Sequence, residues 1–134
     1  MGRHMKDHKD NNNNDKNLMQ FAATNMESIA FILSLVKKFR KIDDNVELLT
    51  VGIFSLVCMN EGITNSDVCN YFNIPKARAS RNLYILSKVC KGRLGGKGLG
   101  LLEQKSDSKD FRVKTLHLTK RGQSVRNDLL ALLG

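Results

Sequence analysis

The sequence predicts a mainly α-helical domain that carries one small β-hairpin, and three observations predict it. Apolar residues recur at the helical period in four successive stretches before residue 91. Two short alternating segments, 99–105 and 111–118, flank a polar turn. Between the third and fourth helical stretches only Asn73-Ile74 intervenes, followed by Pro75, a spacing that fits two short helices joined by a tight turn. A chain of 134 residues with 41% hydrophobic content suits one domain with one core.

Charge narrows the function. Residues 73–121 hold thirteen Lys and Arg against Glu103, Asp107 and Asp110, a local balance of +10, whereas residues 1–72 sum to −1 and residues 122–134 to zero. The formal charge of +9 therefore sits in one third of the chain, the footprint of a polyanion partner. The longest apolar run, Ile29-Ala-Phe-Ile-Leu, is far short of the roughly 20 residues of a membrane span, so the chain reads as soluble and cytoplasmic. Cys58, Cys69 and Cys90 are an odd count at wide spacing on apolar helix faces, and they are expected to be buried and reduced.

Met1-Gly-Arg-His-Met5 has the look of an expression-vector remnant, and Lys6 to Asn17 offers no apolar anchor. Residues 1–17 are thus expected to be a remnant and a disordered polar tail. From Asn17 to Ile42 two apolar stripes run side by side, Leu18, Ala22, Met26, Ile29, Leu33, Val36 and Phe21, Ile32, Leu35, Phe39. A helix with two apolar stripes at the start of a small domain most simply packs one of them on a second subunit, so residues 18–45 are expected to form a dimerisation helix and connector. The other arrangement is a central helix wrapped by its own chain.

Asp43-Asp44-Asn45 can cap a second helix, Val46 to Asn60, that buries Leu48, Leu49, Ile53, Leu56 and Val57. Glu61-Gly62 ends it. Thr64, with Asp67 three residues on, opens a third helix that buries Val68, Cys69 and Phe72. Pro75 then starts a fourth, running to about Cys90, with Ala79, Leu83, Leu86 and Cys90 inward. Its other face, Lys76, Ala77, Arg78, Ser80, Arg81, Asn82 and Tyr84, carries basic, small and amide groups and no carboxylate. Such a face suits a helix entering a major groove, where long donors meet guanine and phosphate oxygens.

Lys91 to Gly100 reads as a loop, and its glycines do not fit the G-x-x-x-x-G-K-[ST] spacing of a nucleotide site. The segments 99–105 and 111–118 form a hairpin turning at Ser106 to Asp110, and Thr119 caps a last helix from Lys120 to about Leu133. Val125, Leu129, Leu130, Leu132 and Leu133 of that helix are expected to pack on the first helix or on a partner.

In this order the chain resembles the MarR family of winged helix-turn-helix transcription regulators over residues 46–126. Thr64-Asn-Ser-Asp-Val-Cys-Asn-Tyr-Phe-Asn-Ile-Pro is similar to the family's positioning helix and turn, and Ala79-Ser80-Arg81-Asn82-Leu83 with Leu86 to its recognition helix. Asp110-Phe-Arg112, followed by Leu118-Thr119-Lys-Arg-Gly122, is similar to its Asp-x-Arg to Leu-Thr-x-x-Gly signature. The resemblance implies that Arg112 reaches the minor groove while Asp110 holds its guanidinium. A bidentate carboxylate fixes a guanidinium plane, and a narrow minor groove concentrates negative potential. It also implies a winged helix-turn-helix over 46–122 and a C-terminal helix, 123–134, that contributes to dimerisation.

The expected function is a homodimeric regulator of transcription, more readily a repressor, on a pseudo-palindromic double-stranded DNA site in a bacterial or phage-encoded, nucleoid-associated setting. Arg78, Ser80, Arg81 and Asn82 would read base edges, Lys76 and Tyr84 would hold the backbone, and Arg112 with Lys109 would sit in the flanking minor groove. The alternative is a low-specificity architectural or replication and partition protein with the same fold. Many family members bind small effectors, but no cluster here specifies one. No cofactor is implied. His117 stands alone on a strand, no Cys/His spacing fits zinc, and Asp43-Asp44 lie in a connector, so an enzyme is not expected.

Overall fold

A computed structural model describes residues 12–87 and 98–132, with side chains from residue 26 onward. Its order is α1 (Asn12–Ile42), α2 (Leu48–Met59), α3 (Asn65–Phe72), α4 (Lys76–Leu86), β1 (Leu102–Ser106), β2 (Lys114–Leu118) and α5 (Lys120–Ala131). The predicted mainly α class with one hairpin is what the chain adopts. It divides into two units, with the boundary after Val36 inside α1.

In the first unit α1 begins at Asn12, so residues 12–17 extend the helix where a disordered tail was expected. Once later turns are nucleated, each added residue gains a hydrogen bond without a new nucleation cost, and a polar run can continue the helix. Met26, Ile29, Ile32, Leu33 and Val36 are between 43% and 63% exposed.

The second unit holds the core. Phe39 is buried and meets Phe54 edge to face at 5.8 Å, and Ile53, Val57, Val68, Ala79, Leu83, Leu86, Leu101 and Leu116 join them. Such an aromatic pair adds about 0.5–1.5 kcal/mol beyond its burial. Two expectations for α2 fail. Its N-cap is Glu47, without a side-chain bond, and the connector's carboxylates are engaged elsewhere. Asp44 pairs with Arg40 at 2.6 Å and the Asp43 carboxylate accepts from the Asn45 amide at 3.1 Å. Leu48, expected inside, is 85% exposed, and Thr50 is buried in its stead. Leu49 and Leu56 are half-buried.

The fourth helix stops at Leu86, before the expected Cys90, and residues 88–97 with most of the glycine-rich loop lie outside the described residues. The reason for the stop is visible in the hydrogen bonds. The end carbonyls of Ile85, Leu86 and Ser87 accept from the amides of Leu99, Leu101 and Gly100 at 2.8–2.9 Å. Those are the acceptors a helix end leaves without intrahelical partners. The same pairing occupies 99–101, so β1 starts at Leu102, three residues later than predicted.

The hairpin pairs Leu102 with Leu118 and Ser106 with Lys114 in antiparallel register. The segment before α3 adds to its other edge: Gly62 donates to the Leu116 carbonyl, and Leu116 donates to that of Ile63, both at 2.8 Å. The Glu61 carboxylate accepts from the Leu118 amide at 3.0 Å. These bonds fix the hairpin beside the start of α3. At the last helix Val125 is buried as expected and Leu129 is half-buried, but Leu130 and Leu132 are 59% and 43% exposed. Leu133 lies outside the described residues. Lys38 and Asp128 pair at 2.6 Å.

Candidate nucleic-acid interface

The site is assembled from three pieces of backbone. First, Thr64 caps α3 through the predicted box: its Oγ1 accepts from the Asp67 amide at 3.1 Å and the Asp67 carboxylate accepts from the Thr64 amide at 2.9 Å. Second, Asn73 closes the helix in the left-handed region at φ 54°, a conformation that Asn tolerates better than most residues. Pro75 follows as the N-cap of α4, and its carbonyl accepts from the amides of Arg78 and Ala79. Third, the tip between β1 and β2 is tied across its base by Asp107, whose amide donates to the Val113 carbonyl at 2.9 Å.

On α4 the exposed face holds Lys76, Ala77, Arg78, Ser80, Arg81 and Tyr84. Ser80 is steadied from α3, where Asn65 Nδ2 donates to its Oγ at 3.3 Å. Asn82 is the exception and a correction: it is 2% exposed and cannot meet a base edge. Its Oδ1 accepts from Thr50 Oγ1 at 2.6 Å and its Nδ2 donates to the Arg78 carbonyl at 3.0 Å. Asn82 therefore locks α4 to α2. The side chain sits between Ala79, Leu83 and Leu86 on the inner stripe, and a buried amide is tolerable there because a buried hydroxyl faces it.

At the hairpin tip the Arg112 guanidinium donates to both Asp110 carboxylate oxygens, Nε to Oδ1 at 3.1 Å and Nη2 to Oδ2 at 3.2 Å. The Arg112 amide also donates to Oδ1 at 3.0 Å. Those bonds, the side-chain ones foremost, hold the Asp110 carboxyl below the ordinary carboxylate range. The pair is thus complete at neutral pH and is lost only as pH falls through that lowered value. Arg112 keeps 91% of its side chain in solvent while its plane is fixed. Lys109 is exposed beside it.

Lys76 and Arg112, far apart in sequence, line one open cleft of about 340 Å³ together with Thr64, Ser66, Gln104 and Lys114. Sequence reasoning missed Lys114, although it stands two residues beyond Arg112, the spacing that places strand side chains on one face. The cleft holds three cations and no carboxylate among its lining residues.

Cysteine reads differently from expectation. Cys58 and Cys69 are half-buried, and Cys90 is outside the described residues. Burial, opposed by the nearby Arg126, pushes the Cys58 thiol up to about 11, so it stays protonated and weakly nucleophilic at neutral pH. His117 Nε2 shares a hydrogen bond with Thr115 Oγ1 at 2.8 Å. Among the described residues no group of three His, Cys, Asp or Glu side chains is placed to share a metal ion, and no helix is long and apolar enough to cross a membrane.

Helix-turn-helix, hairpin and closing helix together are the winged helix fold. No protein-family model matches the chain, and no curated protein does. Solved structures do. S. aureus MepR bound to DNA superimposes with a TM-score of 0.61 at 16% identity, covering 87% of this chain and 82% of MepR. A MarR transcriptional regulator from Methanosarcina mazei gives 0.58 at 16% identity over 86% of this chain and 74% of that one. FabT of Streptococcus pneumoniae in complex with DNA gives 0.55 at 18% identity, over 84% and 71%. The fold is MarR-like.

Proposed function

We propose that the chain is a DNA-binding regulator of transcription that acts as a homodimer. The observation that carries this reading is the cleft, where the start of α4 and the hairpin tip present Lys76, Arg112 and Lys114 together. A duplex lying there receives α4 in its major groove and the tip in the adjacent minor groove. Arg78, Ser80 and Arg81 face base edges, Lys76, Lys114 and Tyr84 hold phosphates, and Lys109 with Arg112 enters the minor groove. The DNA-bound MepR and FabT structures share this fold and support double-stranded DNA as the partner.

The dimer is supported by the apolar stripe of α1, whose large side chains from Met26 to Val36 stand in solvent. Two recognition helices related by a two-fold axis require half-sites about one helical turn, roughly 34 Å, apart. Repression is the favoured sign, because blocking polymerase needs no further surface. A second reading, low-specificity coating of DNA, is favoured by one observation: the burial of Asn82 removes the only amide that the exposed face of α4 was expected to offer to bases.

Selection of bound duplexes from a random pool, with the winner and a scramble titrated at two salt concentrations, separates the two readings. The expected result is an inverted repeat bound about a thousand-fold more tightly than the scramble. Arg81→Ala should then weaken the selected site by about 1–3 kcal/mol and relax its sequence preference. Equal binding to both duplexes with a steep salt dependence would replace regulation by coating.

The pair at the tip makes its own prediction. Asp110→Asn removes the charge that orients Arg112 while leaving it in solvent. We expect an unchanged melting temperature and several-fold weaker duplex binding at neutral pH, measured by calorimetry and by anisotropy of labelled DNA. Unchanged binding would reduce the pair to an ordinary surface contact.

A further inference from the structure

The residue between Asp110 and Arg112 is Phe111, and it is 77% exposed at the tip of the hairpin. Its position is built rather than loose. The Asp107 carboxylate accepts from the Lys109 amide at 2.8 Å, the Asp110 carboxylate from the Arg112 amide at 3.0 Å, and the Asp110 carbonyl from the Val113 amide at 3.0 Å. With the Asp107 bond to Val113 across the base, the turn is fixed on both sides of Phe111. An aromatic ring is thereby presented to solvent between Asp110 and Arg112, with Lys109 exposed one residue before Asp110.

Resting on the reading of the cleft as a duplex site, we infer that Phe111 is a wedge that enters the minor groove and partly unstacks a base step beside the position of Arg112. The occupant follows from charge complementarity. The ring is next in sequence to Arg112, which lines the cleft with Lys76 and Lys114 and no carboxylate, and a cationic cleft of that kind is poorly matched to an apolar protein surface, which would have to desolvate it. It is well matched to DNA, where the cations meet phosphates and groove edges while the ring meets the π-faces and sugars between them. Apolar side chains inserted from the minor groove bend the duplex toward the major groove, which brings more DNA onto the protein. The step it opens is a pyrimidine–purine step, because these unstack most cheaply. Arg112 alone would favour a stiff, narrow A-tract instead, so the two residues demand different flanks.

The chain contains no tryptophan, so Phe111→Trp places a single fluorophore at the tip. Its fold is checked by circular dichroism and its binding to the selected duplex by anisotropy of a label on the DNA. The expected result is that the bound tryptophan is quenched by stacking and shielded from acrylamide. Phe111→Ala should bind about 5- to 100-fold more weakly, the range of a lost base–aromatic stack, and bend the duplex less by end-to-end energy transfer. Its loss should be larger on a duplex with a TA step at the flank than on one with an A-tract. A bound tryptophan as open to acrylamide as in the free protein overturns the wedge while leaving the duplex site intact. A tryptophan already shielded before DNA is added also overturns it, in favour of a contact with another copy of the chain. No binding of any duplex by the unsubstituted protein overturns both readings together.

Discussion

Gly122→Ala is expected to destabilise the second unit by about 3 kcal/mol or more, at the upper end of overpacking costs. A Cβ at Gly122 would lie 2.1 Å from the Leu101 carbonyl oxygen and 3.1 Å from its carbon, and both are backbone atoms that no rotamer change moves aside. The surrounding bonds allow little relaxation. The Gly122 amide donates to Thr119 Oγ1 at 3.0 Å, and that hydroxyl donates to the Gly100 carbonyl at 2.6 Å. The Thr119 amide itself donates to the Leu101 carbonyl at 3.1 Å. The start of α5 and the segment leading into the hairpin are one interlocked corner. Gly62→Ala is the comparison: its φ of +96° strains any side chain, but an added Cβ meets nothing within 4 Å. It should cost only about 1–2 kcal/mol, the penalty of left-handed backbone. Chemical denaturation of both variants checks the difference, and equal shifts would mean that the close approach at Gly122 is not what matters.

Asn82→Leu is expected to cost about 1–3 kcal/mol, because it strands the fully buried Thr50 hydroxyl without its acceptor. Adding Thr50→Val should recover most of that loss, since replacing both partners by apolar groups of similar shape is close to neutral. A double-mutant cycle on denaturation midpoints measures the coupling. Under conditions where Asn82→Leu stays folded, its base preference should match that of the unsubstituted protein. Arg81→Ala should behave in the opposite way, folding normally and binding poorly. If Asn82→Leu instead kept full stability and lost discrimination at one base pair, Asn82 would be a base reader after all.

Much of the fold is legible in the chain because it rests on contacts within a few residues. The Thr64–Asp67 box spans three positions, the Asp110–Arg112 pair two, and Pro75 needs only its own missing amide hydrogen to suit a helix start. Helical spacing likewise places Ala79, Leu83 and Leu86 inside. The Leu-Thr-x-x-Gly string is visible as a pattern, yet the need for Gly122 is not, since the carbonyl it faces belongs to Leu101.

What only the tertiary structure decides are the places where residue type and position disagree. Helical spacing puts Asn82 beside Leu83 on the inner stripe, but its amide argues for solvent, and the hydroxyl that resolves the conflict is 32 residues away. Leu48 shows the converse, an apolar side chain left 85% exposed at the first turn of α2 while Thr50 takes the core position. The end of α4 depends in the same way on residues 99–101, whose amides take the carbonyls at the end of the helix. Local sequence determines which segments are helix, turn and strand, because capping and periodicity act over a turn or less. Which face of α4 stays exposed, and which cations share a cleft, depends on partners supplied by distant segments, and these exist only once the chain has folded.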